Sequence, residues 1–450
     1  MFDLEVEIAS WRKFLRGKGN LLDPDTEELE GHLREELEGM VRSGLTNEEA
    51  FLIAVKRLGN VDSIAREFAK INSKYLWKQL IVESEEPEVR KRRRQEICIV
   101  VILSILAGSF AKIPELFGIR MFEGNELYYI RNASLFIFPL IAFFFFWRSL
   151  NNIRQAISIG LLMAVSAILV NIIPSYVPDH TALLTGIHLP ILLWLGVGVV
   201  YTGQKSLTSD GRMDFIRFSG ELFIYSVLIL CGGMVLVALT QIIFSAIGID
   251  TLFFTRDYLA VFGAAATPIV AAYLVEEKKS IIENLAPVLA KIFAPLFLLI
   301  LLAFLVAMLI MGISPFKERD FLIGFDLMLV LVLGLVLYIL TAREEHEDPG
   351  IFDYLNLLLI AVALIVDGIA LSAISFRISS LGFSPNKTAA LGENIILFVD
   401  LCGLAILYIR FILRKHGYKN ILRWQTAYLP VIGIWAAFVA FLFPVIFKYQ

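Results

Sequence analysis

The residues Arg90-Lys91-Arg92-Arg93-Arg94-Gln95-Glu96 run directly into Ile97-Cys98-Ile99-Val100-Val101-Ile102-Leu103, and this junction divides the chain into two parts. Before it, residues 1–72 carry fifteen acids and ten Lys or Arg, which leaves a charge of about −5. After it, most of the sequence up to residue 450 is apolar. The junction therefore predicts a small water-soluble domain, residues 1–72, a connector, residues 73–96, and a membrane domain, residues 97–450.

The composition places the second part in a membrane. Of the 450 residues, 58% are hydrophobic and 18% are charged, whereas soluble domains are about 45–50% apolar and about 25% charged. The apolar residues lie in blocks of about 20, the helix length that crosses a hydrocarbon core of about 30 Å. The predicted fold class is all-α, a small cytosolic helical domain followed by a polytopic helical bundle. Eleven spans are predicted, near residues 97–117, 133–150, 154–175, 181–201, 218–247, 256–276, 288–312, 321–341, 354–376, 391–411 and 427–447.

The distribution of Lys and Arg predicts the orientation of the bundle. If the basic junction is cytoplasmic and the spans alternate, eighteen Lys and Arg flank the spans on the cytoplasmic side and nine on the other. Cytoplasmic loops of membrane proteins carry this excess of cations. We therefore expect a cytoplasmic N-terminus, an outer C-terminus, and a location in a bacterial inner membrane. The basic collar that orients the chain consists of Arg90, Lys91, Arg92, Arg93 and Arg94.

Local signals in residues 1–72 predict four helices. Asp23-Pro24 is a typical helix start, and Thr46 followed by Glu49 forms a capping box, in which each side chain binds the other residue's backbone N–H. The second helix has an apolar stripe at Leu29, Leu33, Leu37 and Met40, and the third has one at Ala50, Ala54 and Leu58. Asp62 is expected to cap a fourth helix.

The same region resembles a known family. The resemblance rests on Ser43-Gly44-Leu45-Thr46, Glu48-Glu49-Ala50, Arg57-Leu58-Gly59-Asn60 and Ile64-Ala65-Arg66-Glu67-Phe68. Residues 27–69 are similar to the permease prefix domain, also called the HAAS-type domain, and the membrane part resembles, more weakly, prefix-bearing families of unknown function. The resemblance implies a bacterial inner-membrane protein with a cytosolic regulatory or docking domain, and it transfers no catalytic residue.

Three acidic residues within the last spans are the candidate functional residues. Asp367 lies near the middle of the ninth span and Asp400 near the middle of the tenth, and Glu393 lies two helical turns before Asp400. Carboxyl groups are costly inside a bilayer and commonly mark ion pathways. The three are expected to face one another across a cavity and to share protons, as in a proton- or cation-coupled transporter. The alternative is a protonated acid that forms an interhelical hydrogen bond and only fixes the packing.

Other chemistry is not indicated. The chain contains no phosphate-binding GxxxxGK[ST] loop and no HExxH or Cys/His zinc motif, so we predict neither an enzyme nor a bound cofactor or metal. Cys98, Cys231 and Cys402 all lie in apolar blocks and are expected to be small buried hydrophobes. His188 and Asn171, each alone in its span, are expected to be packing residues, and Asp326 is expected to reach the interface.

Two functions remain open at this stage. The first is a permease or transporter with a regulatory cytosolic domain. The second is a membrane sensor or scaffold without transport, in which residues 1–72 bind a cytosolic protein. In both, the partners are the lipid bilayer, a candidate cytosolic protein and a second copy of the chain, and nucleic acid is not expected. A further hypothesis is that the acidic domain docks on the basic collar until anionic lipid displaces it. The alternative, which the sequence favours, is a collar that only orients insertion.

Overall fold

A computed structural model describes residues 4–5, 7–8, 23–42, 45–58, 87–149, 153–246, 249–277, 286–311, 316, 319–343 and 348–449. Over these residues the secondary structure is helical, without strands. The chain divides into two compact units, Met1–Arg94 and Gln95–Gln450. The predicted all-α fold class is confirmed.

The first unit contains two described helices, α1 (Asp23–Arg42) and α2 (Asn47–Leu58). Leu33 and Leu37 of α1 are buried in one cluster with Ala50 and Ala54 of α2, as the apolar stripes predict, and Ile8 joins them. Burial of these faces, rather than helix propensity, provides most of the stability of such short helices. The predicted fourth helix and most of the first lie outside the described residues.

The predicted capping box is present at the start of α2. The Thr46 N–H donates to Glu49 Oε2 at 3.1 Å, and the Glu49 N–H donates to Thr46 Oγ1 at 3.4 Å. The hydrogen bonds from Thr46 lower the pKa of the Glu49 carboxyl below its ordinary value, because they favour the ionised form. The box satisfies two backbone donors that a helix N-terminus otherwise leaves free.

The second unit is a bundle of long helices. They are α3 (Pro87–Lys112), α4 (Glu126–Ser149), α5 (Ile153–Ile172), α6 (His180–Thr202), α7 (Ser209–Ala246), α8 (Val261–Glu277), α9 (Ala286–Met311), α10 (Arg319–Ala342), α11 (Ile351–Leu381), α12 (Pro385–Ile412) and α13 (Lys419–Phe441). Eleven helices in the described part of the chain are long and apolar enough to cross a membrane, and they coincide with the predicted spans. The second unit is therefore a polytopic membrane domain.

Several helix bounds differ from those predicted, and α4, α12 and α13 each begin at least six residues before the predicted start. The fifth span was placed at 218–247, but α7 begins at Ser209. The first turns of α7 carry charged residues, so their mean hydropathy is too low to indicate a membrane span. Phe215 and Ile216 in these turns are nevertheless buried against the rest of the bundle. Likewise, the basic collar was assigned to a connector, but it forms the first turns of α3, which starts at Pro87.

The bundle has two apolar cores. One contains side chains of α3, α4, α5, α6, α7 and α8. The other contains side chains of α9, α10, α11 and α12, with the first turns of α7 and α13. Contacts of α6 with α12 and α13 join the two groups of helices. In the middle of α7, Phe223, Leu228 and Met234 are each more than 60% exposed. This face of α7 is therefore available to lipid, whereas Leu222 and Tyr225 pack against the first core.

Helices α12 and α13 pack closely because glycines face indole rings. A Cβ atom at Gly392 would lie 2.1 Å from Cη2 of Trp435, and one at Gly403 would lie 2.2 Å from Cζ2 of Trp424. Small residues at helix contacts allow this close approach in membranes. The contact fixes how α13 sits beside α12 and so positions Trp424 next to a buried acid.

Candidate functional site

Asp367 lies in the middle of α11 and is completely buried. It is roughly 24 Å along the helix from Ile351 and roughly 21 Å from Leu381, at about 1.5 Å per residue. Among the described residues, neither carboxyl oxygen of Asp367 has a hydrogen-bond partner. Such buried polar atoms are uncommon in folded proteins and call for an explanation.

Asp326 of α10 lies within electrostatic range of Asp367. Its Oδ1 accepts a hydrogen bond from Nδ2 of Asn394 on α12 at 2.8 Å. The amide oxygen of Asn394 is buried and has no partner in the described part of the chain. Asp326 also lies within electrostatic range of Glu393. The three helices α10, α11 and α12 thus contribute polar groups to one region.

Glu393 pairs with His188 of α6. The His188 Nε2 atom lies 2.6 Å from Glu393 Oε1, and Nδ1 lies 2.9 Å from the carbonyl oxygen of Leu184. A carbonyl only accepts, so Nδ1 must carry a proton. The short contact between Nε2 and the Glu393 carboxyl joins α6 to α12.

His188, Asp326 and Glu393 lie at similar depth, whereas Asp367 lies roughly 21 Å from the end of α11 at Leu381, at about 1.5 Å per residue. Helices α6, α10 and α12 begin at the same end of the bundle, because consecutive spans alternate in direction. His188, Asp326 and Glu393 are each about 10–12 Å along their helices from that end. We call His188, Asp326, Asp367, Glu393 and Asn394 the polar network. It is buried to different degrees: His188, Asp367 and Asn394 are at most 3% exposed, while the Glu393 side chain is 33% exposed.

Asp400 has a different environment. Its Oδ1 accepts from Nε1 of Trp424 at 2.9 Å, and its Oδ2 accepts from Nε2 of Gln425 at 2.9 Å. Both donors belong to α13, and both Asp400 and Gln425 are buried. Two donors compensate the carboxyl for the loss of water. These hydrogen bonds join α12 to α13, and they are compatible with the packing role that the sequence left open as an alternative.

The three carboxyl groups singled out in the sequence therefore have three different settings. Asp367 has no hydrogen bond, Glu393 binds His188, and Asp400 binds α13. Sequence reasoning grouped Asp400 with Glu393 because they share a helix face, but their partners lie on different neighbouring helices.

His188, Asp326 and Asn394 were not identified as members of a site. His188 and Asp326 are each surrounded by apolar residues in the sequence, whereas Asn394 directly follows Glu393 in the same span. The signal that could have found them is their similar distance from the helix starts. Asn171, also expected to be a packing residue, forms a reciprocal amide pair with Asn132 of α4, at 2.8 and 3.2 Å.

The basic collar lies at the start of α3. Lys91, Arg92 and Arg94 are exposed and Arg93 is half-buried, whereas the side chain of Arg90 lies outside the described residues. Exposed cations beside an apolar helix fit a membrane-orienting role.

Within the described ranges, no three His, Cys, Asp or Glu side chains are grouped so that they could hold a metal ion. No protein-family model, no curated protein and no solved structure matches this chain.

Proposed function

We propose that this integral membrane protein is a permease-type transporter whose transport cycle is coupled to protonation of the polar network. The observation that carries the proposal is the Asp367 carboxyl, which is completely buried and lacks any hydrogen-bond partner within the described part of the chain. An acid that only stabilised the packing would be hydrogen-bonded, as Asp400 is.

The physical argument concerns the charge state of Asp367. An ionised carboxyl without donors in a low-dielectric interior costs many kcal/mol, and such a group takes up a proton instead. The described conformation therefore suits the protonated acid. A conformation that admits water to Asp367 would favour the ionised form. Protonation and conformation are then linked, and this linkage is what a proton-coupled transporter requires.

The other members of the polar network provide a route for the proton. The partly exposed Glu393 leads from the bundle end to His188, and Asp326 lies within electrostatic range of both Glu393 and Asp367. In this proposal, Glu393 and His188 exchange protons with water, Asn394 orients the Asp326 carboxyl through its hydrogen bond, and Asp326 passes protons to Asp367.

The remaining parts of the chain have accessory roles in the proposal. Residues 1–72 form a permease-prefix-like domain that binds a cytosolic regulator, and the basic collar holds the N-terminus in the cytoplasm of a bacterial inner membrane. The C-terminus then lies outside, since eleven spans are an odd number.

The proposal is tested by replacing Asp367 with Asn in the full chain reconstituted in liposomes. Infrared difference spectra between acidic and alkaline buffers report the carbonyl stretch of a neutral carboxylic acid. We expect Asp367→Asn to remove a band from a buried acid, and to abolish solute-induced currents on supported membranes when panels of solutes are screened.

The matched control is Asp348→Asn, because the Asp348 side chain is 79% exposed and the substitution is the same. We expect this variant to keep both the band and the currents. A second comparison is Asp400→Asn, in which the amide oxygen can still accept one hydrogen bond. Retention of the band and of full transport in Asp367→Asn would overturn the proposal.

A further inference from the structure

The bundle also contains an apolar groove, and no residue of the polar network lines it. It has a volume of about 550 Å³ and lies between α5, α6, α13 and the first turns of α7. Its walls include Ile159, Leu162, Leu195 and Ile434. Ligand sites typically have volumes of about 300–1,000 Å³, so the groove is large enough for an extended hydrocarbon chain.

One end of the groove is polar and positively charged. Arg212, in the first turns of α7, lines this end with Gln155, Thr202 and Ser206. These residues lie near the start of α5, the end of α6 and the start of α7, and so at one membrane boundary. A groove that is apolar along its length and cationic at the boundary matches an amphipathic anion, with its headgroup at Arg212.

The guanidinium of Arg212 is held in place without being neutralised. Its Nε donates to the carbonyl oxygen of Ser206 at 2.9 Å, and its Nη1 donates to the carbonyl oxygen of Thr426 at 2.9 Å. Within the described residues, Arg212 has no carboxylate partner in an ion pair, and its Nη2 makes no hydrogen bond. The nearest acids in sequence, Asp210 and Asp214, are two residues away on the helix and so point in other directions.

We propose that this groove binds one anionic phospholipid, with its phosphate on Arg212 and one acyl chain along α5, α6 and α13. The two carbonyls orient the guanidinium, so that Nη2 donates a charge-assisted hydrogen bond to a phosphate oxygen, a geometry for which arginine is well suited. The lipid would fix α13, and with it Trp424, against α6 and α7. The site is independent of the transport proposal and stands whether or not Asp367 carries a proton.

The test is native mass spectrometry of the full chain, delipidated and then titrated with phosphatidylglycerol or phosphatidylcholine. We expect the wild type to retain one phosphatidylglycerol about tenfold more tightly than phosphatidylcholine, a factor that corresponds to about 1.4 kcal/mol. Arg212→Gln should remove this preference. Because Arg212 also contacts the backbone, Ala437→Phe provides a second variant that fills the groove and leaves Arg212 unchanged, and it should prevent binding of the acyl chain.

The matched control is Arg410→Gln, which removes an exposed cation at the end of α12, outside the groove. We expect it to bind phosphatidylglycerol as the wild type does. Equal retention of the two lipids by the wild type would mean binding as ordinary annular lipid only and would overturn the proposal. So would undiminished phosphatidylglycerol retention in both Arg212→Gln and Ala437→Phe when each elutes and unfolds like the wild type.

Discussion

Replacement of Gly403 by Ala tests how tightly α12 and α13 are joined. A Cβ at this position would lie 2.2 Å from Cζ2 and 2.3 Å from Cε2 of Trp424, whereas ordinary contact begins at 3.4 Å. The indole or the whole of α13 must therefore move by about 1 Å. Trp424 Nε1 also donates to Asp400 Oδ1 at 2.9 Å, so the same movement breaks a hydrogen bond to a buried acid.

The expected cost follows from three contributions. Overpacking of a close contact costs about 1–3 kcal/mol, and loss of one donor to a buried acceptor costs about 1–3 kcal/mol. The higher helix propensity of alanine raises the free energy of unfolding by at most about 1 kcal/mol relative to glycine. We therefore expect Gly403→Ala to lower the free energy of unfolding by roughly 2–4 kcal/mol.

The free energy of unfolding is measured by titrating the protein from mild detergent micelles into sodium dodecyl sulfate. Gly334→Ala is the matched control, because a Cβ at Gly334 on α10 meets no atom within 4 Å. We expect it to be neutral or slightly stabilising. In a double-mutant cycle, Trp424→Phe removes the atoms that clash, so Gly403→Ala should cost much less in that background. Equal stability of Gly403→Ala and Gly334→Ala, or additivity in the cycle, would refute this account of the interface.

Three further predictions concern other contacts. Arg343→Gln should lower the free energy of unfolding by about 3–5 kcal/mol in the same titration. It removes the two hydrogen bonds of 2.8 and 3.2 Å from Arg343 to the buried carboxylate of Asp353, which keeps the hydrogen bond from the Gly350 N–H. The double variant with Asp353→Asn should recover much of this loss, and no recovery would contradict the ion-pair explanation. Asn171→Leu should cost about 1 kcal/mol by removing the reciprocal amide pair with α4, and a change below the measurement error would show that the pair is energetically neutral. Thr46→Ala should increase hydrogen exchange in the first turn of α2, because the cap is lost. The pKa of Glu49 is lowered in the folded state. The stability that the Glu49 carboxylate contributes is therefore fully present above the unfolded pKa of 4.5, and it is lost as the pH falls through the lower folded pKa. Hydrogen exchange in α2 of the wild type should rise over that acidic range, and a Glu49→Gln variant should lack this pH dependence.

The membrane architecture could be predicted from the sequence because each span must satisfy its own backbone and present an apolar surface of fixed length. That requirement is local, and it is why eleven blocks of the sequence correspond to eleven helices. The cap at Thr46 and the apolar stripe of α1 were equally predictable, since both depend on residues within a few positions of each other.

The helix contacts could not be predicted in the same way. In lipid, an apolar helix face gives no indication of whether it meets another helix or a hydrocarbon chain. The middle of α7 has a continuous apolar sequence like that of α11, but one face of α7 is available to lipid there and α11 is at the centre of a core. Where two carboxyl groups share a helix face, as Glu393 and Asp400 do, the neighbours on that face differ along its length.

The sequence by itself determined the class of the protein, the number of spans, the expected orientation and the presence of costly carboxyl groups within the spans. Only the tertiary structure decided which of these carboxyl groups have hydrogen-bond donors that compensate for the loss of water. His188 and Glu393 are separated by 205 residues and Asp326 and Asn394 by 68, distances over which no sequence periodicity specifies a contact. Asp400 lies beside two donors on α13, whereas Asp367 lies beside none among the described residues. That difference arises from helix packing, and it separates an acid that holds helices together from one that we propose exchanges a proton.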